Sequence, residues 1–185
     1  MKDLSWKTLS SEYLFKDSWF TVRKDTCETR EGKLITPYYV FEFPTWVMAV
    51  ALTKEGKFII ERQYRHASGT TDYELAGGCV DDTDASLEDA IRRELLEETG
   101  YQFTQLDYLG RTSANPSTNN NWAHLFLAQG GELVRQQELD HNEEIEVYLF
   151  SLEELKQLLR DNMIVQSMHV TALFYGLQKL GFLKF

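Results

Sequence analysis

The chain has 185 residues, long enough for one domain with a sizeable core, and its 43% hydrophobic and 26% charged content is that of an ordinary globular protein. A formal charge of −10 argues against long nucleic acids, whose binding relies on Lys and Arg at phosphates, yet a metal ion could still hold a small anionic substrate. Two cysteines are too few for a disulfide framework, no apolar run reaches the length of a membrane span, and the start lacks the apolar core of a signal peptide. The expectation is a cytoplasmic protein with no membrane partner.

In chain order, residues 19–23 and 38–43 alternate as short strands around a turn at 30–33. Residues 45–53 and 58–65 form two further strands about the Lys54-Glu55-Gly56 turn. The first of these is apolar on both faces, as in a strand covered on both sides. Residues 73–75 make a short strand that runs into Gly77-Gly78. A helix opens near Ser86, where Ser86 and Asp89 have capping-box spacing, and Gly100 closes it. Strands are expected at 103–112, 122–128 and 144–150, a capped helix at 151–161 and a last helix at 169–180. A mixed sheet with helices on both faces, an α/β architecture, fits this order.

The helix after Ser86 carries the strongest signal. At 3.6 residues per turn, Leu87, Ile91, Glu94 and Glu98 share one stripe, with Leu95 at its edge and Glu97 alongside. Two carboxylates therefore stand on a face that should be buried. Most acidic runs are solvated, but this phase is not that of a solvated face. A buried carboxylate is costly unless paired or bound to metal, and Mg²⁺ takes oxygen ligands while keeping positions open for phosphate.

The run from Gly78 through Asp84 to Arg93-Glu94-Leu95-Leu96-Glu97-Glu98-Thr99-Gly100-Tyr101 resembles the signature box of the Nudix hydrolases. Two departures occur in its first half: Asp84 stands where the family has Glu, and one extra residue, Ala85, separates it from Arg93. In the family that Glu buttresses the box arginine. The resemblance implies an α/β/α sandwich with a mixed sheet over residues 45–185, preceded by an N-terminal β-strand extension at 1–44. It implies Glu94, Glu97 and Glu98 as metal ligands, with a backbone carbonyl from Gly77 or Ala76, and Mg²⁺ or Mn²⁺ as cofactor. Arg93, i,i+4 from Glu97, would orient it.

Most similar is the ADP-ribose and nucleotide-sugar pyrophosphatase branch, in which such an extension packs across a homodimer; Trp6, Tyr13, Trp19, Phe20, Tyr38 and Tyr39 give this one an aromatic interface content. Asp140-His141-Asn142-Glu143-Glu144 resembles the loop that brings a catalytic Glu over the metals, with Glu143 ahead of Glu144 as the base. Arg62-Gln63-Tyr64-Arg65 and Glu74-Leu75-Ala76 resemble the strands that open the substrate cleft. Arg65 there would contact phosphate or else pair with a neighbouring carboxylate, and Trp46 would stack on a base or pack in the core. The implied reaction is metal-dependent hydrolysis of the diphosphate in a nucleoside diphosphate linked to a sugar-like moiety. The alternative is a non-catalytic Nudix-like sensor that binds such a ligand.

Overall fold

The computed structural model describes residues 2–17 and 19–184, which cluster into two compact units. The first comprises residues up to Pro44 together with Ser113–Asn121. It holds a three-stranded antiparallel sheet in the order β1 (Lys7–Lys16), β2 (Thr21–Glu28), β3 (Leu34–Glu42). The β2–β3 turn closes through Thr29 N–H donating to Lys33 O at 2.9 Å. Phe20 packs against Phe15, Phe41 and Phe43, and Arg23 binds Asp25 and Glu42. Residues 113–121 are laced to β3: Phe41 N–H donates to Thr118 O at 2.7 Å and Asn120 N–H to Phe41 O at 3.1 Å. Every described residue of β1 is exposed, which explains why its sequence shows no inside–outside alternation and why the strand was not anticipated. The strands expected at 19–23 and 38–43 prove longer, as β2 and β3.

The second unit contains the rest of the chain. Its mixed sheet runs β10 (Ile145–Phe150), β5 (Phe58–Arg65), β4 (Trp46–Thr53), β9 (Ala123–Leu133), β7 (Tyr101–Gln102), with β6 (Thr70–Glu74) paired to β5 and β8 (Gln105–Thr112) to β9. β4 and β9 are parallel; the other pairs are antiparallel. Alternate residues of β4 supply two cores. Val47, Ala49 and Ala51 pack with Ile59, Phe126 and the helix α1 (Leu87–Thr99). Met48, Val50 and Leu52 pack with Leu125, Leu127 and the helices α2 (Leu152–Arg160) and α3 (Ser167–Lys179). This unit is thus an α/β/α sandwich, as its doubly apolar β4 implies.

One topological detail positions everything below. β4 pairs with β5 only at Ala51–Ile59 and Leu52–Phe58, and further along, the same edge of β5 is taken by β6, with Glu61 opposite Glu74. The chain leaving β6 turns back onto β4, where Ala49 N–H donates to Ala76 O (3.0 Å) and Val47 N–H to Gly78 O (2.9 Å). A fork therefore opens in the sheet, lined by residues 74–78.

Candidate active site

Helix α1 begins where Ser86 Oγ accepts the Asp89 N–H at 3.1 Å. It ends at Gly100, whose left-handed backbone (φ 77°) sends its N–H to Leu96 O. Between these caps Ala90, Ile91 and Leu95 enter the core, and the same stripe carries Glu94 and Glu98 inward to 9% and 5% exposure. Glu97, on the flank, is half-buried.

The fork glycines serve the two carboxylates differently, one binding Glu98 and the other leaving room for Glu94. Gly77 N–H donates to Glu98 Oε2 at 2.7 Å. Gly77 sits at φ 153°, and a Cβ there would lie 2.2 Å from Val47 O, so only glycine lets the loop meet the strand. At Gly78 a Cβ would lie 2.6 Å from Glu94 Oε1.

Arg93 is the hub of the helix flank. Its Nε and Nη2 donate to the two oxygens of Asp84 (3.0 and 2.9 Å), Nη2 also to Cys79 O (3.0 Å), and Nη1 to Glu94 and Glu97 (3.0 Å each). The bond to Asp84 foremost raises the guanidinium further above its ordinary range, and it holds the Asp84 carboxyl below its own. Asp84 thus performs the buttressing expected of the longer Glu, with the extra Ala85 accommodated before the cap.

Across the fork, Arg65 clamps the buried Glu74 with two hydrogen bonds of 2.8 and 2.5 Å. Arg62 instead lies at the surface, bound to Glu146 across the β5–β10 pair at 3.1 Å. Trp46 packs against the α2/α3 core and bridges to Cys79. The segment between β9 and β10 crosses the end of α1: Glu138 N–H donates to Glu97 O (2.8 Å) and Gln137 Nε2 to Glu98 O (2.5 Å). Farther along it, half-buried Glu143 accepts the Asp140 N–H at 3.0 Å, and its charge is felt at Glu61, Glu94 and Glu98. Glu144 is exposed. The structure thus gathers Glu94, Glu97, Glu98, Arg93, Gly77, Glu74, Arg65 and Glu143 around the fork, and leaves Arg62, Glu144 and Trp46 outside that group.

Glu61 was missed in the sequence. It follows Phe58-Ile59-Ile60 on β5, shares the face of Ile59, and is 3% exposed. Burial and then the Glu74 carboxylate push its carboxyl up to about 8. Burial likewise drives Glu94 up to about 7 against the pull of Arg93, and Glu98 well above the carboxylate range. The available signal was an acid directly after the apolar run Phe58-Ile59-Ile60, in phase with Ile59.

These residues fit a hard divalent cation. The donor set is all oxygen, Glu61 Oε1 is buried without a hydrogen-bond partner, and Gly78 leaves the space that Glu94 fills. Among the described residues no three acidic, histidine or cysteine side chains already close round a single point. Mg²⁺ does not require such a cage, since it retains waters and commonly uses one or two carboxylates.

Comparison with known proteins identifies the family. A sequence profile described as the NUDIX domain matches residues 43–171, and one described as the nucleoside diphosphate sugar hydrolase N-terminal domain matches residues 6–41. The chain belongs to the Nudix family. It is 28% identical over 176 residues to an ADP-ribose pyrophosphatase of Bacillus subtilis (strain 168), covering 95% of this chain and 94% of that protein. It is 26% identical over 170 residues to a methanol dehydrogenase activator of Bacillus methanolicus, covering 91% of each. A crystal structure of an ADP compounds hydrolase superposes with a TM-score of 0.82 at 24% identity, over 98% of this chain and 97% of that one, and so shares the fold.

Proposed function

We propose that the protein hydrolyses the diphosphate of a nucleoside diphosphate joined to a sugar, with ADP-ribose or another ADP-sugar as substrate and Mg²⁺ or Mn²⁺ as cofactor. The observation that carries this reading is the buried Glu94–Glu98 pair, with Glu98 bound by the Gly77 N–H and Glu94 given room at Gly78. The relatives named for ADP-ribose hydrolysis support the substrate class.

Glu94, Glu98 and Glu97, with a carbonyl of Gly77 or Ala76, would hold the cation. When bound it neutralises the diphosphate and acidifies the attacking water. Arg93 keeps Glu94 and Glu97 aimed, because one guanidinium nitrogen binds both. Arg65, already oriented by Glu74, presents its remaining edge to a phosphate oxygen. Glu143 takes the proton of the water, whose oxygen bonds to one phosphorus as the bridging P–O bond breaks. Two phosphate monoesters leave; from ADP-ribose these are AMP and ribose phosphate. The proposal extends to a cytoplasmic homodimer, with exposed Trp6, Leu9, Tyr13 and Phe15 on or beside β1 as contacts. Light scattering giving a monomer mass at micromolar concentration would remove the dimer.

The test is a panel of ADP-ribose and nucleotide sugars assayed with Mg²⁺ and with Mn²⁺. Turnover of at least one is expected, and Glu98→Gln should lower it by about 10²-fold or more with the fold intact. Tight ligand binding with no metal-dependent turnover would replace the hydrolase by a sensor.

A further inference from the structure

We propose that Glu61, on the strand side of the fork, is an additional acidic ligand, and that a divalent cation is held between Glu61 and Glu98. The inference depends on the hydrolase reading only for the presence of such a cation.

The charges around the fork fall into two groups. Glu74 is answered by Arg65; Asp84, Glu94 and Glu97 are answered by Arg93. Among the described residues no lysine, arginine or histidine forms an ion pair with Glu61 or Glu98. Glu98 receives one backbone N–H, from Gly77, and Glu61 Oε1 receives nothing. Yet these are among the most deeply buried described carboxylates, at 3% and 5% exposure, and the Glu61 charge is felt at Glu98.

A buried acid with no partner is expensive, and replacing it by a hydrophobe would relieve the cost. Packing offers no reason to keep it: the residues before it, Phe58, Ile59 and Ile60, are fully buried and apolar, so β5 already supplies core. Glu61 is also directly opposite Glu74 in the β5–β6 register, a like-charge pair that destabilises a sheet. A cation between Glu61 and Glu98 offsets both the unpartnered burial and the like-charge pairing. It would take one carboxylate from β5 and one from α1, complete its shell with water, and tie the strand to the helix across the fork.

The experiment compares parent and Glu61→Gln, which keeps the side-chain volume and removes the charge. Mn²⁺ alone is titrated into each protein and followed by calorimetry and by electron paramagnetic resonance of free Mn²⁺, with melting temperatures recorded with and without metal. The inference expects Glu61→Gln to bind one fewer Mn²⁺ per chain, or to bind at least about 10-fold more weakly. Its Mn²⁺-induced rise in melting temperature should shrink. Glu61→Asp, with the carboxylate withdrawn by one methylene, should fall between the two, and it carries the comparison if Glu61→Gln does not fold. An acid with a merely structural role would change the metal-free melting temperature while leaving the Mn²⁺ titration as in the parent. That result overturns the inference, and if the parent still hydrolyses ADP-ribose with Mn²⁺ the hydrolase reading survives it. A parent that binds no Mn²⁺ overturns both.

Discussion

Gly78→Ala separates the two demands placed on the fork, folding and metal chemistry. The backbone of Gly78 lies outside the left-handed region, so alanine can adopt it without strain. The added Cβ would nevertheless lie 2.6, 2.8 and 2.9 Å from Oε1, Cδ and Oε2 of Glu94, where ordinary contact begins at 3.4 Å. The Glu94 carboxylate must therefore retreat by about 0.8 Å, judged against that contact distance. It is the far end of a flexible side chain, so the fold can yield there. Losing its bond to Arg93 Nη1 costs about 1.5–3 kcal/mol, the usual worth of a hydrogen bond to a charged group. A less flexible unfolded chain returns about 0.4–1 kcal/mol. The net loss of about 1–2 kcal/mol lowers the melting temperature by only a few degrees in a chain of this size.

The effect on catalysis is larger. A ligand displaced by about 1 Å costs about 10²-fold in rate, and its metal affinity falls with it. The assay is turnover of ADP-ribose across a Mg²⁺ titration, alongside a melting curve. Gly77→Ala provides the contrast: its Cβ meets backbone, Val47 O at 2.2 Å, so that variant should lose stability first and most. If Gly78→Ala keeps the parent's kcat and Mg²⁺ half-saturation, Glu94 is not a ligand and the site is misassigned.

Three further outcomes follow from the same geometry. Asp84→Ala removes both of its bonds to Arg93 and should lower kcat about 10-fold, the low end for a positioning group, whereas Asp84→Glu combined with deletion of Ala85 should restore most of the rate in a steady-state assay. Glu143→Gln should cut kcat by about 10²-fold or more with KM and Mn²⁺ affinity near the parent's, as expected of a base, and Glu144→Gln should do less; full kcat in both would move the base to Glu97 or Glu98. His169, buried with Nδ1 accepting the Leu75 N–H at 3.0 Å, has its folded pKa lowered by burial to about 4 from 6.5. The unfolded chain then binds more protons between those values, so this contribution is complete above pH 6.5 and is lost as pH falls toward 4. By linkage the loss from pH 7 to pH 5 is about 2 kcal/mol, and denaturant unfolding of parent and His169→Gln should diverge by that amount over this window, with parallel curves refuting it. Glu74 and Arg65 act on His169 in opposite directions and are common to both proteins.

The sandwich was legible because β4 is apolar on both faces and because α1 carries its carboxylates in phase with Ile91 and Leu95. The caps at Ser86 and Gly100 were legible as local chemistry. β1 was not, since a strand exposed along its described length has no buried face to write into its sequence. For Arg65 the sequence left phosphate contact and a carboxylate pair equally open; in this structure its guanidinium reaches back along the hairpin from opposite Thr70 to bind Glu74. Glu61 became visible only when that same register set it opposite Glu74 and its face became known from Ile59. Long-range pairing is the information that periodicity lacks.

The site divides its residues between rigid and yielding segments, and the division matches what each must do. Glu94 and Glu98 lie one and three residues from Leu95, and Glu61 follows Ile60, both of which are fully buried, so core packing holds these proposed ligands in place. A cation site needs that constancy, because its ligands must lie within tenths of an ångström of fixed positions. Glu143 is placed differently. It lies outside any helix or strand, and its carboxylate is held by one exposed backbone N–H, from Asp140. Such a bond contributes about 1 kcal/mol net, so releasing the carboxylate toward a bound diphosphate is cheap. A base is required only while substrate is present, and a weakly tethered carboxylate can satisfy its own loop in the free protein and the attacking water in the complex. The proposed ligands are therefore built into the sandwich, and the proposed proton acceptor is carried on the segment laid across the end of α1.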